Sequence, residues 1–302
     1  MALRLLISGS SGLIGSALAA RLRTQGHDLV RLRRGSHRIE AGALYWDPAH
    51  DGHLGEELEG FDGVIHLAGA NVGATLWTKK RKQELVDSRC RDTRLLAQAL
   101  AALSSPPKTV IIASAVGYYG DRGQETLTEE SPPGAGFLAR LCVQWEASSR
   151  PLQERGVRVV HSRFGAVLSP QGGLLRKLLP LFRWGLGGRL GTGKQLMSWI
   201  ALEDAVCALE HLLHHEEVRG PVNVTSPFPV AQEAFADLLA RAVRRRKGPP
   251  LPALLVRWLF GEMGQELLLA SAAALPRKLL DTGFSFVYPR IETYLQEERC
   301  SA

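Results

Sequence analysis

Residues 3–16 read "LRLLISGSSGLIGS": an apolar run is broken by Gly9, Gly12 and Gly15 and then resumes in a helical pattern. No other feature constrains the fold as strongly. The apolar run suits a buried strand, and the glycines suit a turn in which backbone closely approaches another segment or a bound group. The helix that follows leaves its first N–H groups free, with a partial positive charge at its start. A phosphate fits that environment without any charged side chain. Ser10 and Ser11 add hydroxyl donors beside the turn, and Leu13 and Ile14 open the helix.

The same alternation continues downstream. Apolar runs at 3–8, 28–33, 43–46, 62–68, 108–114 and 157–162 predict strands, and the segments 13–25, 78–103 and 135–155 predict helices. Gly26 and Gly156 fall where two helices should stop. This alternation predicts an α/β fold, a Rossmann-type doubly wound parallel sheet covered on both faces. After residue 165 the rhythm breaks. A glycine-rich loop, "LGGRLGTGKQ" (186–195), precedes a strand and helix in "LMSWIALEDAVCALEHLL" (196–213), and a proline-punctuated helical stretch starts at 227. The predicted organisation is a nucleotide-binding domain over 1–226, with a substrate-side insertion around 169–198. A small, mostly helical C-terminal lobe follows over 227–302.

A glycine turn in this position favours a dinucleotide, with its pyrophosphate against Gly9, Ser10, Ser11, Gly12, Leu13, Ile14 and Gly15. The end of the second strand chooses between cofactors. An acidic residue there would hold the ribose hydroxyls of NAD(H), whereas positive charge would hold the 2′-phosphate of NADP(H). The chain offers Arg33 and Arg34, with Arg31 one pleat away and no carboxylate, so NADP(H) is the expected cofactor. In "HLAGANV" (66–72), Leu67, Ala68 and Gly69 are small or apolar enough to pass beside adenosine and pyrophosphate. On the helix 78–103, Val86, Thr93, Leu96, Leu100 and Leu103 predict the inward seam, and Arg89 lies on the same face. An arginine facing a sheet needs a partner, here either a cofactor phosphate or ribose or an internal salt bridge. Glu84, Arg163 and Val167 complete the expected cofactor contacts.

"GSSGLIG", "HLAGANV", "SAVGYYGD", "SRFGAVL" and "SWIALEDAV" together resemble an extended short-chain dehydrogenase/reductase of the nucleotide-sugar epimerase branch. More narrowly, "WTKKRKQELVDSR", "FLARLCVQWEA", "LGTGKQLMSWI" and the tail "LFGEMGQELLLASAAALPRKLLDTGFSF" resemble an atypical epimerase-family group. Its members are labelled nucleoside-diphosphate-sugar epimerase-like or cell-division-inhibitor-like. The resemblance spans nearly the whole chain and implies a Rossmann-type fold and NADP binding. It places a small-molecule substrate or effector in a cleft between the lobes, near Tyr118, Tyr119, Trp199 and the loop 187–193. It also implies hydride chemistry by an Asn-Ser-Tyr-Lys set, with Tyr and Lys four residues apart on one helix. Here that helix reads "GFLARLCVQWEASS", and the spacing pairs Phe137 with Leu141 or Leu138 with Cys142. The dyad is absent. The serine slot falls on Ala115 or, with one inserted residue, on Ser114, as a substrate contact or a strand-end hydroxyl. Tyr118 and Tyr119 are either substitute proton donors or packed rings.

The net charge of +7 is densest in "RLRRG" (31–35) and "RAVRRRKG" (241–248). The second cluster is either a solvated helix end or the seat of an anionic partner. Without interleaved aromatics or a nucleic-acid module, nucleic acid is not the expected partner. Leu251–Phe260 comes nearest to a membrane span, and Arg257 interrupts it. No secretory signal is expected, because the N-terminal apolar run flows straight into the glycine turn. Four scattered cysteines form no CxxC pair, and His211 and His215 lack the HExxH order, so no metal is expected. A reducing cytoplasm is the expected compartment. Two functions fit these residues: an NADP(H)-dependent atypical reductase or epimerase, or a non-catalytic NADP(H) sensor or scaffold linked to cell division.

Overall fold

The computed structural model describes residues 2–36, 38–50 and 54–300. Eight strands form the central sheet: β1 Arg4–Ser8, β2 Asp28–Arg34, β3 Arg38–Glu40, β4 Ala43–Trp46, β5 Gly63–His66, β6 Thr109–Ala115, β7 Arg158–Phe164 and β8 Gly220–Val224. Their spatial order is β8-β7-β6-β5-β1-β2-β4-β3, and every pairing is parallel except β3 with β4. Strand order reverses between β1 and β5, where a doubly wound sheet opens a crevice at its strands' C-terminal ends. Leu5, Leu6, Ile7, Val64, Ile65, Val110 and Ile111 are buried, as strands covered on both faces require.

The helices are α1 Leu13–Thr24, α2 Lys79–Val86, α3 Asp92–Ala102, α4 Phe137–Ala147, α5 Arg150–Glu154, α6 Gly173–Arg183, α7 Leu202–His214, α8 Gln232–Ala242, α9 Ala253–Gly264, α10 Arg277–Asp281 and α11 Ile291–Cys300. α1 packs with α7, and α3 packs with α5. Leu18 and Leu22 of α1, Leu96 and Leu100 of α3, and Leu209 and Leu212 of α7 are sealed into the core. Each fully buried leucine contributes roughly 1.5–3 kcal/mol.

The six predicted strands and three predicted helices all fall where these elements lie. Two helices are less uniform than their sequence pattern. A π turn over Asp87–Arg91 joins α2 to α3 and shifts the inward face by one residue. Leu85 is therefore buried, whereas Val86 is only partly so. The helix 135–155 breaks at Ser148 and Ser149, whose hydroxyls donate to the Gln144 and Glu146 carbonyls, and Pro151 opens α5. The sheet also extends past residue 165. β8 lacked a strand signal because it begins Gly220-Pro221 and carries a polar Asn223.

A second core joins the insertion to the C-terminal region. Leu168, Leu175, Phe182 and Trp199 pack with Val230, Phe235, Leu239, Ile291, Tyr294 and Leu295. Trp199 is fully buried, and its indole N–H donates to the Phe228 carbonyl at 3.0 Å. It is a core residue, not the cleft wall expected from the sequence.

Candidate dinucleotide site

The turn between β1 and α1 lies against the chain leaving β5. Gly9 has φ +67°, and a Cβ there would lie 2.7 Å from the Leu67 carbonyl carbon and 2.8 Å from the Ala68 nitrogen. A Cβ on Gly15 would lie 2.9 Å from the Gly9 carbonyl carbon. The Gly12 N–H donates to the Gly9 carbonyl at 2.9 Å, closing the turn. Leu13 reaches the opposite wall. A Cβ on Gly173 would meet both the Leu13 side chain at 3.3 Å and the Val167 carbonyl at 3.2 Å. The turn residues, Leu67, Ala68, Leu13 and Val167 thus border one crevice.

A buried polar chain fixes this crevice from beneath. Ser8 Oγ accepts from the Ala68 N–H at 3.2 Å and bonds His66 Nδ1 at 2.7 Å. His66 Nε2 bonds Thr93 Oγ1 at 3.1 Å, and Thr93 also accepts from the Trp145 indole at 3.1 Å. Complete burial lowers the His66 pKa from 6.5 to about 4, so the ring is neutral. The unfolded chain binds this proton first as pH falls. The stabilisation is therefore complete above pH 6.5 and is lost between 6.5 and about 4. The loss amounts to about 3 kcal/mol in the acid limit. Urea midpoints measured between about pH 7 and pH 4 should fall steeply in wild type. A flat profile, or one that His66→Gln leaves unchanged, would contradict the assignment. His161, also buried, shifts in the same direction.

Beside the turn lies a cavity of about 380 Å³ lined by Ser10, Ser11, Ser16, Arg23, Arg31 and Arg33, together with two alanines. No carboxylate lines it. Strand alternation sends Arg31 and Arg33 to the same side. The Arg31 Nε is buried and has no hydrogen-bond partner. Arg33 donates to the Tyr45 hydroxyl at 3.1 Å and lies over the Tyr45 ring. Arg34 turns the other way, to Asp92 at 3.3 Å. The cationic pair at the turn is therefore Arg31 with Arg33, rather than Arg33 with Arg34.

The other expected contacts separate into two groups. Arg89 sits on the π turn, 8% exposed, with its Nη2 donating to the Ala70 carbonyl at 2.9 Å and its guanidinium over Trp145 at 5.0 Å. Gly69 lies alongside, since a Cβ there would be 3.5 Å from the Arg89 Cζ. Burial lowers the Arg89 pKa, and no carboxylate pairs with it among the described residues. The inward direction predicted for Arg89 holds; a salt-bridge partner does not exist there. Glu84 is elsewhere, exposed and paired with Arg81 at 3.0 Å. Arg81 in turn donates to the Asn71 carbonyl, so Glu84 reaches the crevice loop only through it.

Arg163 is committed internally. Glu146 accepts from its Nε and Nη2 at 2.8 Å each, and Nη1 donates to the Tyr119 oxygen at 3.0 Å and to the Glu129 carbonyl at 3.3 Å. Burial opposes its charge, and the Glu146 carboxylate outweighs that, leaving the pKa raised. Ser114 donates to the same carboxylate at 2.7 Å. Tyr119 is fully buried, bonded to Asn223 Oδ1 at 2.8 Å, and burial raises its pKa. Ser114, Tyr119 and Arg163 thus belong to one buried network around Glu146, a residue that the sequence reading missed. Only its place one turn beyond Cys142 on α4 could have signalled it. Tyr118 is half-buried, with the Arg163 guanidinium 3.4 Å from its ring centroid. Phe137, Leu138, Leu141 and Leu85 form a closed apolar seam where a Tyr-Lys pair would stand. No group of His, Cys, Asp and Glu among the described residues could hold a metal.

Comparisons with known proteins agree with this architecture. Residues 5–225 match the model of the NAD dependent epimerase/dehydratase family, and residues 251–298 match a domain of unknown function, DUF1731. An epimerase family protein of Mycobacterium bovis, Mb2239, is 45% identical over 281 residues, covering 93% of this chain and 92% of its own. The crystal structure of human epimerase family protein SDR39U1 with NADPH superposes with a TM-score of 0.90 at 31% identity, covering 99% of this chain and 100% of that one. A nucleoside-diphosphate sugar epimerase from Corynebacterium glutamicum superposes with a TM-score of 0.81 at 33% identity, covering 99% of this chain and 58% of that one. A glycine turn at the sheet's switch point, a parallel sheet that carries it and a matching tail agree with these matches: this chain is a member of the NAD dependent epimerase/dehydratase family, an atypical extended short-chain dehydrogenase/reductase.

Proposed function

We propose that this chain binds NADP(H) and acts on a small molecule, with a nucleotide sugar as the substrate class. The observation that carries the cofactor reading is the carboxylate-free cavity of Ser10, Ser11, Arg23, Arg31 and Arg33. The buried Arg31 Nε lacks an acceptor, and a 2′-phosphate would supply one. The glycine turn would hold the pyrophosphate, because Gly9 and Gly15 leave room that any side chain would fill. The NADPH in the human relative supports this reading, and the sugar epimerase relative supports the substrate class.

Bound nicotinamide supplies hydride exchange with a substrate carbon. The chain's own part is positioning and proton transfer. Among the hydroxyls expected at the site, those of Ser114 and Tyr119 are held in the Glu146 network, which leaves Tyr118 as the proton donor. A non-catalytic cofactor sensor is the second reading, favoured by the apolar seam of Phe137, Leu138 and Leu141 in place of the usual pair.

Calorimetric titration with NADPH and NADH tests the cofactor reading. Wild type should prefer NADPH, and Arg31→Ala/Arg33→Ala should lose about a hundred-fold in NADPH affinity while changing NADH affinity little. Equal losses for both nucleotides would overturn the phosphate assignment. Turnover of NADPH with a carbonyl panel, or of NADP+ with a nucleotide-sugar panel, abolished by Tyr118→Phe, separates enzyme from sensor.

A further inference from the structure

Outside the dinucleotide cavity, the structure leaves a large apolar face unpartnered. α9 directs Leu254, Leu255, Trp258 and Leu259 outward, at the i, i+1, i+4, i+5 spacing of one helix face. Trp258 is 80% exposed and Leu254 77%. The chain leaving α6 adds Leu181, Trp184 and Leu186, with Trp184 77% exposed. These two segments lie side by side. The Gly248 N–H donates to the Gly187 carbonyl at 2.7 Å, Leu251 to Arg189 at 2.8 Å, and Gly191 to the Leu251 carbonyl at 2.9 Å. Two outward indoles and five leucines exceed the scattered apolar exposure of an ordinary surface.

The charge around this face is one-sided. Residues 170–202 and 238–261 supply it and contain no aspartate or glutamate, and Glu262, one residue further along α9, is paired with Lys82. Together the two stretches hold 11 lysines and arginines: Arg176, Lys177, Arg183, Arg189 and Lys194 in the first, and Arg241, Arg244, Arg245, Arg246, Lys247 and Arg257 in the second. Glu233 and Asp237 of α8 hold Lys247, and Glu233 also lies 3.7 Å from Arg189. Arg183, Arg241, Arg244, Arg245 and Arg246 have no ion-pair partner among the described residues. A second copy of the chain would set these cations against their own kind.

We propose that this face docks on an anionic membrane surface. The leucines and indoles would enter the interfacial region, and the arginines would meet anionic headgroups. No helix among the described residues is long and apolar enough to cross a membrane, so this is docking on one leaflet. The face shares no residue with the cofactor cavity, so the two readings stand or fall separately.

Flotation of the full chain with phosphatidylcholine vesicles, with and without phosphatidylglycerol, tests the proposal. Wild type should float only with the phosphatidylglycerol vesicles, and added salt should release it. Arg244→Gln/Arg245→Gln/Arg246→Gln should weaken vesicle affinity about a hundred-fold, and Trp184→Ser/Trp258→Ser by roughly ten-fold or more. All substituted residues are exposed, and an unchanged thermal melt confirms that the variants fold; the single variant Trp258→Ser serves if the double one does not. Absence of flotation, or flotation that both variants leave unchanged, overturns the proposal. So does a dimer dissolved by the tryptophan variant without vesicle binding, which assigns the face to a second copy. Binding of DNA or RNA in place of vesicles, unaffected by the tryptophan variant, overturns it in favour of nucleic acid.

Discussion

Glu146→Ala is expected to lower the free energy of unfolding by about 3–5 kcal/mol. The carboxylate accepts two parallel bonds from Arg163 and a third from Ser114. Arg163 is only 2% exposed, so without Glu146 its charge stays buried with the Tyr119 oxygen and one carbonyl. The pair as a whole is a different matter, because desolvating two charges offsets much of their attraction. Glu146→Leu/Arg163→Met should therefore be much less destabilising than Glu146→Ala alone. Urea unfolding at neutral pH measures both. A loss below about 1 kcal/mol for Glu146→Ala would mean that Arg163 finds another partner.

Gly15→Ala is expected to reduce NADPH affinity by about a hundred-fold or more, since the turn proposed to hold the pyrophosphate cannot keep its shape. The added methyl would press on the Gly9 carbonyl and lie 3.0 Å from the Ser10 Cα, both backbone atoms that no rotamer change can move aside. Relief requires the turn to open, and Gly9, which lies against the Leu67 and Ala68 backbone, would have to shift with it. The Ser8–His66–Thr93 chain resists this movement from below. Calorimetry gives the affinity, and a circular dichroism melt separates loss of binding from loss of fold. Binding within about three-fold of wild type in a folded variant would remove the turn from the phosphate site.

The sheet and the glycine turn were legible because their signals are local. A continuous apolar run marks a doubly covered strand, and the glycines follow the first one directly. The side-chain partners were less legible because each lies on another element. Arg34 and Arg33 are adjacent in sequence but belong to opposite sides of a pleat, and Asp92, which holds Arg34, is 58 residues away. Arg163 looked available because Glu146 is on α4, which carries no sign of facing it. Val86 was placed with an uninterrupted 3.6-residue period, and the π turn at Asp87–Arg91 breaks that period. Trp199 was read as a cleft residue because nothing local reveals the Phe228 carbonyl that takes its N–H. The outward face of α9 was in view as the apolar run Leu251–Phe260, yet whether it faced core or solvent depended on the packing of Val256.

The second core has a consequence for how the chain is made. Leu168, Leu175, Phe182 and Trp199 are covered by Ile291, Tyr294 and Leu295, which are synthesised well after them. The central sheet can pair as it emerges, but this core cannot close until α11 has left the ribosome. Throughout that interval a nascent chain displays a bare patch of leucine, phenylalanine and tryptophan, the kind of surface to which chaperones bind and at which unfinished chains aggregate. A stop codon or frameshift ahead of α11 would therefore make the interval permanent, leaving a polypeptide with an intact glycine turn and an uncovered flank.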